Sequence, residues 1–106
     1  MELIKWHQAA AFGQNIILGN NLFYLDAFWN VRDEAWYLSI KTANGLQIIT
    51  NIKVTIGIDL LSFCKNEEKP DGELLVVPTN PKVSFITRDN MGVDVNLIFV
   101  GANEVL

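Results

Sequence analysis

The sequence offers few groups able to do chemistry, and each stands apart from the others. His7 is the single histidine. It lies in the N-terminal segment, so a catalytic triad or a histidine-based metal site has nothing to build on, and it reads as a surface or terminal residue. Cys64 is the single cysteine. The cation of Lys65 beside it favours a thiolate, but with no second cysteine and one distant histidine the thiol reads as a small buried structural residue. Two adjacent carboxylate pairs, Asp33-Glu34 and Glu67-Glu68, have the donor type for a hard cation or for acid–base work. Both fall in turn-like stretches whose neighbours point apart into water, and they read as solvated loop charge. Gly13 and Gly57-x-Asp59 lack the basic residue and the clustered glycines of a phosphate-binding loop. No catalytic, metal or cofactor site is assigned, and an enzyme is not expected.

Aromatic residues are the other chemical resource. Phe23, Phe28, Trp29, Trp36 and Tyr37 are the types that stack on bases or sugars. A formal net charge of −4 opposes the nucleic-acid version, because a phosphate-binding face needs clustered Lys and Arg and the sequence has no such cluster. Core packing takes most of these rings, and the remainder suits a protein partner, where aromatic residues anchor interfaces. Half of the 106 residues are hydrophobic and 19% are charged. So little charge leaves apolar area undiluted at the surface, a hint of a surface covered by a partner.

These residues are held by a chain patterned for strands. Ala11 to Leu18 is an apolar-rich run closed by Gly19-Asn20-Asn21, residues that tolerate positive φ, so a hairpin follows. Leu22 to Val31 is a long aromatic strand ended by Arg32-Asp33-Glu34. Along Trp36 to Lys41, period two sends Trp36, Leu38 and Ile40 to the core. Asn44-Gly45 predicts a type I′ hairpin turn into Leu46 to Ile49, and Ile52 to Ile56 reads as a further half-buried strand after Asn51. Asp59 is placed to cap a short helix near 58–64 with Leu60, Leu61 and Phe63 packing inward. Residues 65 to 72 form a charged loop. Glu73 to Val77, apolar on both faces, has the pattern of a central strand, Val83 to Ile86 is a short extended piece, and Val95 to Val100 is the last strand. The expected fold is all-β, a small antiparallel barrel or sandwich of about seven or eight short strands, with residues 1–10 as an N-terminal extension and 11–106 as a single domain.

No apolar run approaches the ~20 residues of a membrane-spanning helix. The N-terminus has an acid before its first base and lacks the continuous apolar core of roughly 7–15 residues that marks a signal peptide. Neither a membrane nor export is expected, and one cysteine excludes an intrachain disulfide.

Several of these features occur together in an order that resembles a known family. They are the aromatic second strand, Trp36-Tyr37-Leu38, the Asn44-Gly45 turn, the Gly57-x-Asp59-Leu60-Leu61 corner, Leu74-Leu75-Val76-Val77, and Asp89-Asn90-Met91-Gly92 before the last strand. Over roughly Phe12 to Val100 the chain is similar to the plug proteins of contractile phage tail baseplates, the cyanophage type. It departs in having a single Gly72 before Glu73 and in its first ten residues. The resemblance implies a structural protein of the virion, made in the host cytoplasm and sited in the baseplate. There several symmetric copies would lock the tail tube and hub to tube initiator, wedge or sheath components. Trp6, Phe12, Ile17, Phe28, Trp29 and Ile98 are the candidate partner-interface residues. A small barrel that binds carbohydrate or peptide is the alternative reading of the same pattern.

Overall fold

The computed structural model describes residues 2–64 and 69–101, with the backbone alone at Phe63. Among the described residues seven strands form two antiparallel sheets. β2 (Ala11–Leu18), β3 (Asn21–Asn30), β4 (Ala35–Thr42) and β5 (Gln47–Lys53) make a meander in chain order. β1 (Glu2–Ile4), β7 (Val95–Gly101) and β6 (Gly72–Pro78) make the second sheet, with β7 in the middle.

Turn chemistry sets the meander. Gly19 and Asn20 have φ of 57° and 73°, the two-residue geometry whose twist matches the flanking strands, and Leu18 pairs with Asn21 across it. The turn at Asn44-Gly45 differs from the type I′ expectation. Only Gly45 takes a positive φ there. Its N–H donates to Thr42 O while Thr42 N donates to Leu46 O, so the loop has three residues and Gly45 is the left-handed one that closes it. Thr42 Oγ1 also accepts from Leu46 N, a local bond that ties the threonine to this longer loop.

Period two holds along β4. Trp36, Leu38 and Ile40 are buried against Phe23, Leu25 and Ala27 of β3 and, from the other sheet, Leu74, Val76, Leu97 and Phe99. One continuous core between two sheets makes the fold a small sandwich.

β5 is one bulged strand where the sequence suggested two runs. Ile40 pairs with Ile49 and Leu38 with Ile52, which leaves Thr50 and Asn51 opposite Ser39. Asn51 takes a φ of 48°. Its N–H donates to Ser39 Oγ, and the Ser39 hydroxyl donates to Asn51 Oδ1. The bulge therefore satisfies a buried serine. The strand stops at Lys53 rather than continuing to Ile56. Val83 to Ile86 is likewise not a strand, because asparagine side chains offer this backbone local partners instead of a ladder. Asn80 Oδ1 accepts from Lys82 N and Asn90 Oδ1 from Thr87 N.

The expected short helix is a 3-10 turn, Leu60–Phe63, with Asp59 as its cap. Leu60 and Leu61 are fully buried; the Phe63 side chain, expected to pack inward, lies outside the described residues, as does the loop 65–68. Asp59 Oδ1 accepts from Leu61 N at 3.0 Å and from Leu74 N at 2.9 Å. The second bond explains why β6 is an edge strand, contrary to the central position its pattern suggested. Its free side is covered by the segment 57–59, since Gly57 N also donates to Val76 O. A carboxylate and a short loop stand in for a neighbouring strand.

Two stability measurements test this account. Asp59→Ala removes a cap and orphans the buried Leu74 N–H, and should cost about 2 kcal/mol in urea unfolding; parent-like stability would remove Asp59 from its bridging role. Trp36→Ala should cost roughly 3–5 kcal/mol, and a loss under 1 kcal/mol would contradict its place in the core.

Candidate functional site

The six interface candidates divide into three groups. Trp6, Phe12 and Trp29 converge on Trp36. Trp6 meets Trp36 edge to face at 5.1 Å and Phe12 at 5.0 Å, and Trp29 meets Trp36 at 5.7 Å. These contacts place Trp6 in the core, where it is buried, with Phe12 and Trp29 half-buried at its border. Trp6 is therefore not a surface anchor of the isolated chain. The indole Nε1 atoms of Trp6 and Trp36 are buried without a conventional acceptor, and the near-perpendicular rings around them set positive ring edges against π faces.

Ile98 is the second group. It is 7% exposed on central β7, in a cross-strand row with Leu3 and Leu75, so it too is not free, and β7 is not an edge. Leu3 at the end of that row is exposed. Residues 1–10 supply both Leu3 and Trp6; β1 pairs with β7, and Gly92, from the Asp89-Asn90-Met91-Gly92 stretch, packs against Trp6 Cβ.

Ile17 and Phe28 form the third group and do reach solvent, on the outer face of the meander. Ile17, 60% exposed, pairs across the hairpin with exposed Leu22. Phe28 stacks on Tyr37 with centroids 5.7 Å apart and planes at 17°, and between these pairs Lys41 Nζ lies 5.1 Å from the centroid of the Tyr24 ring. The face is thus a row of rings and aliphatic side chains interrupted by the Lys41 cation, folded onto Tyr24, and by the exposed Asp26 carboxylate opposite Ser39, a mixture suited to a protein-contact surface.

A further apolar group was not picked out from the sequence. Phe85 is 68% exposed on the irregular segment 79–94, which Asn90 holds in shape. Asn90 Nδ2 donates to Phe85 O, its Oδ1 accepts from Thr87 N, its N–H donates to Thr87 Oγ1, and its carbonyl accepts from Val93, Asp94 and Val95 N–H groups. The Thr87-x-x-Asn90 spacing, in which each side chain can bond the other's backbone, was the available signal. Beside this segment lies an open cleft of about 300 Å³ whose polar lining is Glu34, Lys53, Thr55 and Ser84.

The chemical candidates do not assemble. His7 Nε2 donates to Gln14 Oε1 at 3.2 Å, and Gln14 Nε2 to Lys5 O, so this histidine fastens the N-terminal segment to β2. Cys64 is buried and unpaired. Among the described residues no three His, Cys, Asp or Glu side chains are grouped to hold a metal, and no helix is long and apolar enough to cross a membrane. Glu67-Glu68 lies outside the described residues. Asp33 Oδ2 accepts from Tyr37 Oη at 2.6 Å, and this hydrogen bond, with a smaller contribution from desolvation and from the carboxylate's charge, holds the Tyr37 phenol above its ordinary pKa.

The arrangement is that of a small all-β sandwich with exposed rings and aliphatic side chains. Among curated proteins no sequence matches it significantly. The profile of the family described as cyanophage baseplate Pam3 plug gp18 matches residues 1–102. The chain belongs to that family, the plug proteins of the cyanophage tail baseplate, and the matched span includes its first ten residues.

Spectrophotometric titration tests the outer-face geometry. Tyr37 should ionise at higher pH than a free tyrosine, and Asp33→Asn should lower its midpoint. Unchanged phenolate titration in that variant would show that the Asp33 contact is not formed in solution.

Proposed function

We propose that this protein is a non-catalytic baseplate component that locks the end of the tail tube and the hub to the surrounding baseplate parts. The reading rests chiefly on the family match over residues 1–102. The distribution of polar groups supports it. Asp59, Asn90 and the Ser39–Asn51 pair, the well-placed hydrogen-bonding side chains, are occupied by the protein's own backbone or by one another. Contact then falls to Ile17, Leu22, Phe28 and Phe85, which are exposed and apolar. The partners are tube initiator, hub, wedge or sheath proteins, met by several symmetric copies in the virion.

Purified tail particles decide this reading. The protein should be detected in them by mass spectrometry, and tails assembled without it should have loosened or missing baseplates. Its absence from purified tails would overturn the proposal.

A further inference from the structure

Four strands bound the two sheets, and three of those edges are blocked. β6 is covered by Asp59 and Gly57. β5 is bent by the bulge at Thr50-Asn51 and carries Lys53. β1 is three residues long. β2 has none of these protections. It runs eight residues in unbroken register with β3 and contains no charge, proline or bulge, the usual means of shielding an edge.

Ladder parity fixes what this edge presents. Trp29 N donates to Ala10 O and Leu18 pairs with Asn21 across the two-residue turn, so the even-numbered residues bond to β3. Ala11, Gly13, Asn15 and Ile17 therefore point their N–H and C=O groups away from the sheet, where β2 has no neighbouring strand among the described residues.

We propose that this edge pairs antiparallel with the same edge of a second copy, about a twofold axis at Gln14, making one continuous sheet from two meanders. β2 is complementary to itself in that register. With Gln14 opposite Gln14, Ala11 faces Ile17 and Gly13 faces Asn15, so every outward N–H and C=O finds a partner. On the outer face the small residue of each pair meets the larger one. On the core face the Gln14 side chains at the axis stay bonded to His7 and Lys5 O of their own copies, and Phe12, already packed on Trp6 and His7, meets Ile16, both half-buried in one copy. No charge on either strand opposes the contact, a condition that a self-contacting twofold surface must meet.

Gly13 adds a specific fit. A Cβ there would collide with Tyr24 Oη and lie 2.8 Å from Asp26 Oδ1, so the Tyr24 hydroxyl and the Asp26 carboxylate together overhang the bare glycine. The facing residue is Asn15 of the second copy, whose amide is a donor.

Sedimentation and light scattering on the full chain across a concentration series test the pairing. The mass should rise from 11.9 kDa toward twice that value. An eight-residue edge is small beside standard interfaces of about 1,600 Å², so the pair should dissociate on dilution. Asn15→Asp, which sets a carboxylate of each copy against the Asp26 carboxylate over Gly13 of the other, should stay monomeric with an unchanged circular dichroism spectrum. Amide exchange on the wild-type protein gives a second readout that needs no variant: the Gly13 and Asn15 N–H groups should be protected when concentrated and lose protection when dilute. A wild-type monomer at millimolar concentration, or a dimer whose Gly13 and Asn15 amides exchange freely, would overturn the proposal. If the protein is monomeric yet Asn15→Asp is excluded from tails that take up the wild type, the edge receives a strand of another chain, which also overturns self-pairing while leaving the baseplate role intact.

Discussion

The fold depends on the packing of aromatic rings around Trp36. This side chain lies at 1% exposure on β4, and Trp6 reaches it from the segment that links β1 of one sheet to β2 of the other. A sandwich of two small sheets has no covalent tie and few residues per layer, so an interlayer contact of large rings supplies a disproportionate share of the buried area. The geometry is specific as well. Edge-to-face contacts at 86° and 65° lock the rotation of each ring, and Gly92 leaves room for Trp6 where any side chain would press on its Cβ. The stretch before the last strand is thereby coupled to the first.

Around that core, polar side chains act as substitutes for missing backbone partners. Asp59 completes β6, Asn90 builds the 79–94 segment, and Ser39 with Asn51 fills the gap of the bulge. Each is a short side chain able to imitate a peptide group. A small protein with many edges and irregular connections has more backbone groups to satisfy than its ladders can accommodate, and leaving a buried one unpaired costs about 1–3 kcal/mol. Placing short polar residues at these points lets a chain with 50% hydrophobic residues remain folded without a regular element at every position.

Much of this was legible in the sequence because it is local. Alternation exposed the buried face of β4, Gly19-Asn20 announced its hairpin, and Asp59 before Leu60 and Leu61 announced a cap. What was not legible depends on residues distant in the chain. The pattern of β6 is that of a central strand because both of its faces carry apolar side chains; only the fold reveals that residues 57–59 cover its edge. Trp6 looked like a free anchor because Gly92 and Trp36, its neighbours in space, are far away in sequence. The loop at Asn44-Gly45 has three residues rather than two for a subtler reason. Thr42 Oγ1 binds Leu46 N, and this competing bond favours three residues over two.

The treatment of edges bears on what the protein can do in an assembly. A strand edge is directional and specific only to another extended backbone, whereas a ring on a face accepts many partners. Blocking three edges and leaving one uncharged therefore restricts backbone pairing to a single place. The outer face of the meander continues from that edge through Ile17 and Leu22 toward the Phe28–Tyr37 stack. A partner aligned by β2 would have its orientation over these side chains determined by the ladder before any of them was buried. Apolar contact alone lacks that directionality.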